Sequence, residues 1–285
     1  MEAWLAEAAD QFVRTNTLIG QLHEKGFTPI STAPTRDAQV RRDHTLAIIE
    51  RLASWSPSAV RFPLKVFSTG PVFERGAWAE SLDVEVLEDP IVDSESVIFD
   101  LLTHLISERF TPPKHRNLVF VAGHLGLLRT LLEQCEWSPD EMSQLEIDFS
   151  EGRYSDAERR IAKSIPELLP LFRPSTPESV LTLLSAVQKS RPALDLHAFQ
   201  RALPSKVDHV PAVLWDLSLT GSFAYYSGLV FSLYARGQGE ALIKGGRFSV
   251  HYQDRHWQGA GFTIMLPEWF AREQKRGDFV DGSIS

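Results

Sequence analysis

The chain has 285 residues, 43% hydrophobic and 23% charged, enough for one large core or for one domain with a smaller helical insert. A net charge of -8 argues against a dedicated nucleic-acid surface, which needs clustered Lys and Arg. The single cysteine, Cys135, excludes an intramolecular disulfide and a cysteine-based metal site.

The start, Met1-Glu2-Ala3-Trp4-Leu5-Ala6-Glu7, is acidic and lacks the basic region of a signal peptide. No run of about 18 apolar residues occurs, so the expectation is a cytoplasmic protein with no membrane span. Trp4, Leu5, Ala8, Phe12, Ile19 and Leu22 recur at helical spacing and predict a helix over 2–25, stopped by Gly26 in the position of a C-cap glycine. Phe27 to Ile30 is a short candidate strand. Val40, Leu46, Ile49 and Leu52 predict a second helix over 37–54. Leu64 to Ser68 reads as a strand, and Leu82-Asp83-Val84-Glu85-Val86 alternates as a strand with one buried face does. Asp93 is a good N-cap, with Glu95 in the first turn, for a helix carrying Val97, Ile98, Leu101, Leu102, Leu105 and Ile106. Leu118 to Ala122 is an apolar strand that Gly123-His124 turns into a helix through Leu131.

Strand signals vanish over 136–203. Asp156 to Leu171 and Glu178 to Ser190 look helical, separated by the turn segment Arg173-Pro174-Ser175-Thr176-Pro177. Strands return at Ala212–Ser218, Ala224–Ala235, Glu240–Lys244 and Gly261–Leu266, with Arg236-Gly237-Gln238-Gly239 as a hairpin turn. The expected class is α+β, an antiparallel sheet flanked by helices. The expected organisation is a core in two parts, 1–135 and 211–275, around a helical insert at 136–210, with a disordered polar tail at 276–285.

Four stretches carry a resemblance. They are Pro34-Thr35-Arg36-Asp37-Ala38-Gln39-Val40-Arg41-Arg42, Pro63-Leu64-Lys65-Val66-Phe67-Ser68-Thr69-Gly70-Pro71-Val72-Phe73, Ala122-Gly123-His124-Leu125-Gly126-Leu127-Leu128, and Phe223-Ala224-Tyr225-Tyr226-Ser227-Gly228 followed by Lys244-Gly245-Gly246-Arg247-Phe248 and Gly259-Ala260-Gly261-Phe262. In this order they resemble the catalytic-fold core of histidyl-tRNA synthetase and its non-synthetase relative, the regulatory subunit of ATP phosphoribosyltransferase, over roughly residues 20–130 and 212–270. The second stretch is similar to the strand entering the second signature motif of class II synthetases.

The departures fall on charged positions. The family's Arg-Pro-Asp-x-Thr reads Ala33-Pro34-Thr35-Arg36-Asp37, and the synthetase's Arg-Gly-x-Asp-Tyr-Tyr-Thr-Gly reads Gly221-Ser222-Phe223-Ala224-Tyr225-Tyr226-Ser227-Gly228. The motif-two arginine is replaced by Glu74, followed by Arg75. Adenylate formation needs cations on a developing phosphate charge, and Glu there repels it. The segment between Ile30 and Pro34 is also far shorter than the family's few tens of residues, which form part of its dimer interface.

The resemblance therefore implies a non-catalytic regulatory subunit of short-form ATP phosphoribosyltransferase in histidine biosynthesis. Such a subunit binds the short catalytic subunit, transmits histidine feedback, and forms a homodimer within a hetero-oligomer, with no cofactor and no metal. Its effector-binding residues would be Tyr225, Tyr226 and Glu85, with Arg247 as a further candidate. Two alternatives stay open: a free-standing degenerate synthetase paralogue with another adenylating or ligating activity, and a protein- or RNA-binding pseudo-enzyme.

Each candidate has a plain structural reading beside the functional one. Tyr225 and Tyr226 read equally as half-buried sheet tyrosines, and alternation puts only one on a given face. Asp83 and Glu85 share one strand face, which is ordinarily solvated, although in the family the glutamate at the position of Glu85 faces the pocket. Gly245-Gly246 reads first as a tight turn at a strand end and second as a close backbone approach to a ligand. His124 reads as a structural histidine at a strand-to-helix turn; His251 and His256, five apart without a Glu partner, make a poor metal pair. Trp55 and Trp78 read as packing or partner contacts, and no nucleophile motif is present.

Overall fold

The computed structural model describes residues 3–33, 35–36, 39–40, 43–55, 60–74, 76–88, 93–110, 117–189, 196–220 and 225–271. The first helix is α1 (Ala3–Glu24), and Gly26 leaves it at φ +81, a left-handed conformation that glycine adopts without strain. After β1 (Thr28–Pro29) come β2 (Thr35–Arg36) and β3 (Gln39–Val40), which pair with each other, and then α2 (Thr45–Ala53). The helix expected over 37–54 thus begins only at Thr45, because residues 39–40 pair as a strand.

The strands β4 (Leu64–Glu74) and β5 (Ala77–Leu87) are longer than their sequence signals, and Gly76 at φ +83 lies in the turn between them. Asp93 caps α3 (Ser94–Arg109) as expected, accepting from the Ser96 N–H at 3.2 Å. Next are β6 (Leu118–His124) and α4 (Leu125–Gln134). α5 (Pro139–Ser150) has no counterpart among the expected elements, yet its start is legible. Ser138 and Glu141 form a reciprocal capping box around Pro139. α6 (Tyr154–Ser164), a 3-10 segment (Pro166–Phe172), α7 (Pro177–Gln188) and α8 (Leu196–Ala202) complete the helical stretch. The chain then forms β7 (Ala212–Trp215), β8 (Tyr226–Ala235), β9 (Ala241–Tyr252), β10 (Arg255–Met265) and α9 (Leu266–Phe270). The proposed tail 276–285 lies outside the described residues.

The main sheet has the order β1-β4-β5-β10-β9-β8-β6-β7. The six inner strands are antiparallel, whereas each edge strand is parallel to its neighbour. The sheet is therefore mixed rather than purely antiparallel, since parallel neighbours require a crossover. α2 lies on the connection from β1 to β4, and α4 to α8 lie on that from β6 to β7.

Apolar layers cover the sheet on both faces. One holds Ile48, Ile49 and Leu52 of α2 against Val66, Leu87, Phe248 and Trp257. The other joins α1, α3 and α4 to Val84, Val86, Phe120, Phe231 and Phe262, and continues through Leu145, Phe149, Ile161 and Leu184 of the helical stretch.

The double glycine is not a turn. Gly245 and Gly246 sit inside β9, opposite Phe262 and Gly261. A Cβ on Gly245 would fall 2.5 Å from the Gly261 carbonyl oxygen and 2.6 Å from Phe231 Cζ. A Cβ on Gly20, inside α1, would meet nothing within 4 Å. Gly245→Ala is therefore expected to destabilise the fold by about 1–3 kcal/mol, and Gly20→Ala to stabilise it by up to about 1 kcal/mol. Urea melts of the two variants check this; equal effects of the same sign would contradict the packing.

Candidate functional site

Strand alternation puts Ser81, Asp83, Glu85 and Leu87 on the sheet face covered by α2. This face is not solvated: Asp83 is 0% and Glu85 3% exposed. The reading of a solvated acidic face is thereby corrected. Local alternation reports two different faces but cannot say that helices cover both.

The N-terminal end of α2 lowers Asp43, His44 and Thr45 onto that face. Asp43, Thr45, Glu85, Tyr225, Tyr226, Phe248 and Thr263, with the backbone of Gly246 and Gly261, line a small cavity. Both glycines are needed. A Cβ on Gly261 would lie 1.8 Å from Glu85 Oε2, so the carboxylate occupies the space a side chain would take. A Cβ on Gly246 would lie 3.0 Å from Tyr226 Cε1 and 2.5 Å from the Leu229 carbonyl oxygen. Both tyrosines line the cavity, with ring centroids 5.2 Å apart. Alternation does not separate them, because Tyr225 precedes the first residue of β8. The cavity is narrow, with free space for about one water. That space is smaller than an amino acid.

The polar groups divide sharply. Asp83 is satisfied: Ser81 Oγ donates to it at 2.8 Å and Thr263 Oγ1 at 2.6 Å. Thr45 Oγ1 donates to Glu85 Oε1 at 2.5 Å, while Glu85 Oε2 and Asp43 Oδ1 are buried without a partner. Burial pushes Asp43 up to about 6, helped by the charge of Asp83 and opposed by the Tyr225 hydroxyl and the N–H groups of Leu46 and Thr45. Burial also raises Glu85 well above the carboxylate range, against the Thr45 hydroxyl. The hydroxyls of Tyr225 and Tyr226 are raised as well, first by burial and then by the neighbouring carboxyls. None of the lining residues is basic.

Arg247 lies elsewhere. It falls on the opposite sheet face from Gly246, where its Nη2 donates to Glu88 Oε1 at 2.5 Å and its Nη1 is 3.9 Å from Glu95 Oε1. Glu88 also accepts from the Ser94 N–H at 3.0 Å, so this ion pair ties β9 to the start of α3. His124 has the structural role: its Nδ1 accepts from the Leu127 N–H at 3.1 Å and caps α4. His251 and His256 stack across the β9–β10 hairpin at 4.4 Å. Among the described residues no group of three or more His, Cys, Asp or Glu could hold a metal. Trp78 is 56% exposed and rests on Phe73; Trp55 is also exposed. The side chain of Glu74, and residues 75 and 221–224, where the motif arginines would stand, lie outside the described side chains.

Asp43, Thr45 and Thr263 escaped sequence reading. A signal existed for the first two: Asp43-His44-Thr45 is a polar triplet immediately before the apolar Leu46, Ile48, Ile49 and Leu52, as at a helix start.

A sequence profile described as histidyl-tRNA synthetase matches residues 39–268, which includes the pocket strands and α2. The chain belongs to the histidyl-tRNA synthetase family. It is 25% identical over 275 residues, 90% of this chain and 65% of the relative, to the ATP phosphoribosyltransferase regulatory subunit of Synechocystis sp.. In eight curated relatives named ATP phosphoribosyltransferase regulatory subunit, the matched stretch spans 18% to 65% of the relative's length. Among solved structures, histidyl-tRNA synthetase from Nostoc sp. PCC 7120 shares the fold with a TM-score of 0.69 at 14% identity, covering 92% of this chain and 71% of that one. A chain of the ATP phosphoribosyl transferase (HisG:HisZ) complex from Thermotoga maritima does so with a TM-score of 0.59 at 18% identity, covering 90% and 97%. No helix among the described residues is long and apolar enough to cross a membrane.

The pocket sets a pH dependence of stability. A carboxyl whose folded pKa is raised stabilises the fold below its unfolded value of 3.8, and that contribution is lost as pH rises through about 6. Asp43→Asn should therefore gain on the wild type, by on the order of 1–3 kcal/mol, as pH rises across that window. Urea melts at several pH values check it; parallel curves for the two proteins would refute it.

Proposed function

We propose that the chain is a non-catalytic regulatory subunit of ATP phosphoribosyltransferase, which binds a separate short catalytic chain and carries histidine feedback to it. The observation that carries this reading is that eight curated relatives bear that name, one of them matching 90% of the chain. The site agrees in chemistry. A buried pocket with two unpartnered carboxyl oxygens and no lining base suits an ammonium group, whose N–H donors satisfy both charge and hydrogen bonding. The substitutions at Glu74, Gly221 and Ala224 remove the cations and the acid that adenylate chemistry uses, which supports a role without catalysis.

In this reading Glu85 and Asp43 receive the α-ammonium of histidine, and Tyr225 and Tyr226 close over it. Arg247 acts from the other face by fixing β9 to α3. Feedback follows if the ligand binds two states of the assembly with different affinity; opening of the tyrosines supplies such a difference.

Co-purification with the short catalytic chain, and rates with and without histidine, test the proposal. A stable complex whose rate falls with histidine is expected. Glu85→Gln should keep the complex and weaken the histidine response by roughly 10–100-fold, the cost of a hydrogen bond to a charged group. No complex and no histidine effect would return the chain to the free-standing paralogue reading, tested by amino-acid-dependent pyrophosphate exchange.

A further inference from the structure

The pocket does not balance its own charge. Asp43 and Thr45 reach its lining from the N-terminal end of α2, with His44 between them, Glu85 from β5, with Asp83 two residues before it on the same face, and Tyr225 and Tyr226 from the start of β8. From β9 the nearest cation on this face is Lys244, which stands opposite Thr263 in the strand register and outside the lining. Arg247 is on the other face, paired with Glu88. The His44 ring contacts Thr32 through Nδ1 at 2.6 Å, and its Nε2 is buried without a partner.

Three acids thus converge, and only Asp83 has donors on both oxygens. Glu85 Oε2 and Asp43 Oδ1 have none, although both side chains are more than nine-tenths buried. A dry, unpartnered carboxylate is too costly to persist, so a proton must take the place of the missing cation.

We propose that this pocket takes up its cationic ligand in exchange for protons: protons held on Asp43 and Glu85 in the empty pocket leave to solvent as an ammonium group seats, so that affinity rises with pH. The proposal rests on reading the pocket as an amino-acid site. The balance is simple. With Asp43 and Glu85 protonated, the empty pocket feels only the charge of Asp83, which Ser81 and Thr263 satisfy; a filled one holds carboxylates against an ammonium, and each proton lost offsets part of the charge brought in. The raised Asp43 and Glu85 agree with this, and an ammonium's three donors suffice for both orphan oxygens. In a histidine-sensing assembly, acidification would then relieve feedback without any change in histidine concentration.

The test is calorimetric titration of the full chain with histidine, in two buffers of different ionisation enthalpy, at about pH 5 and about pH 8. The imidazole of histidine titrates in the same range, but it contributes equally to the wild type and to Asp43→Asn, so the difference between them reports the pocket. At the lower pH the wild type should release close to one proton more than the variant, at the higher pH almost none more, and its affinity should rise by up to about tenfold per pH unit below pH 6. Equal proton counts would overturn the exchange and leave the histidine reading intact. Histamine, which has the ammonium but no carboxylate, is the second probe. If it binds with proton release and histidine does not bind, the exchange stands and the histidine reading falls. If neither binds, both fall. Should Asp43→Asn fail to fold, carbon-13 carboxyl spectra of the wild type give the same answer. Protonated carboxyl signals in the free chain at about pH 6 should become ionised on saturation, and unchanged signals would overturn the exchange.

Discussion

The site depends on a shortage of side chains. Gly246 and Gly261 stand opposite each other in the centre of the sheet, and their missing Cβ atoms are the space in which the Tyr226 ring and the Glu85 carboxylate lie. Any other residue at Gly261 would drive a carbon into Glu85 and toward the Val84 carbonyl oxygen, 2.5 Å away. The sheet can be apolar and closely packed elsewhere because this one patch is left thin. The glycines weaken the strands locally. They admit a buried polar site in exchange.

The two faces of the same strands handle buried charge differently. On one face Glu88 meets the Arg247 guanidinium and the Ser94 N–H, so its charge is paired and its oxygens are used. On the other, Asp43 and Glu85 each keep an oxygen without a donor. The first arrangement is that of a structural tie, and the second leaves buried acceptors unsatisfied. The energetic contrast, rather than acidity itself, separates them, since glutamates from the same strand end serve both.

Much of the fold was legible. Helix periodicity found α1 and α3, the N-cap at Asp93 was readable from its neighbours, and apolar runs found β6 and β8. The failures have physical causes. Strands of 11 and 12 residues were read as five or six, because glycines and polar residues inside β9 and β10 broke the apolar signal. Those same residues build the pocket, so the place where pattern reading failed is the place where the sequence departs from plain packing. α5 was passed over although Ser138, Pro139 and Glu141 mark its start.

By itself the sequence determined the element types, the acidic charge, the absence of cysteine chemistry beyond Cys135, and the family through ordered motifs. It also pointed to Glu85 and the tyrosine pair, which the structure brings to one cavity. Only the tertiary structure decided that Asp43 and Thr45, some forty residues before Glu85, complete that cavity, and that Arg247 does not reach it. The reason is geometric. Periodicity gives the face of a strand on which a side chain stands, but which helix end covers that face depends on contacts across the whole chain. Burial by that helix turns an ordinary strand of alternating acids into a pocket short of a cation.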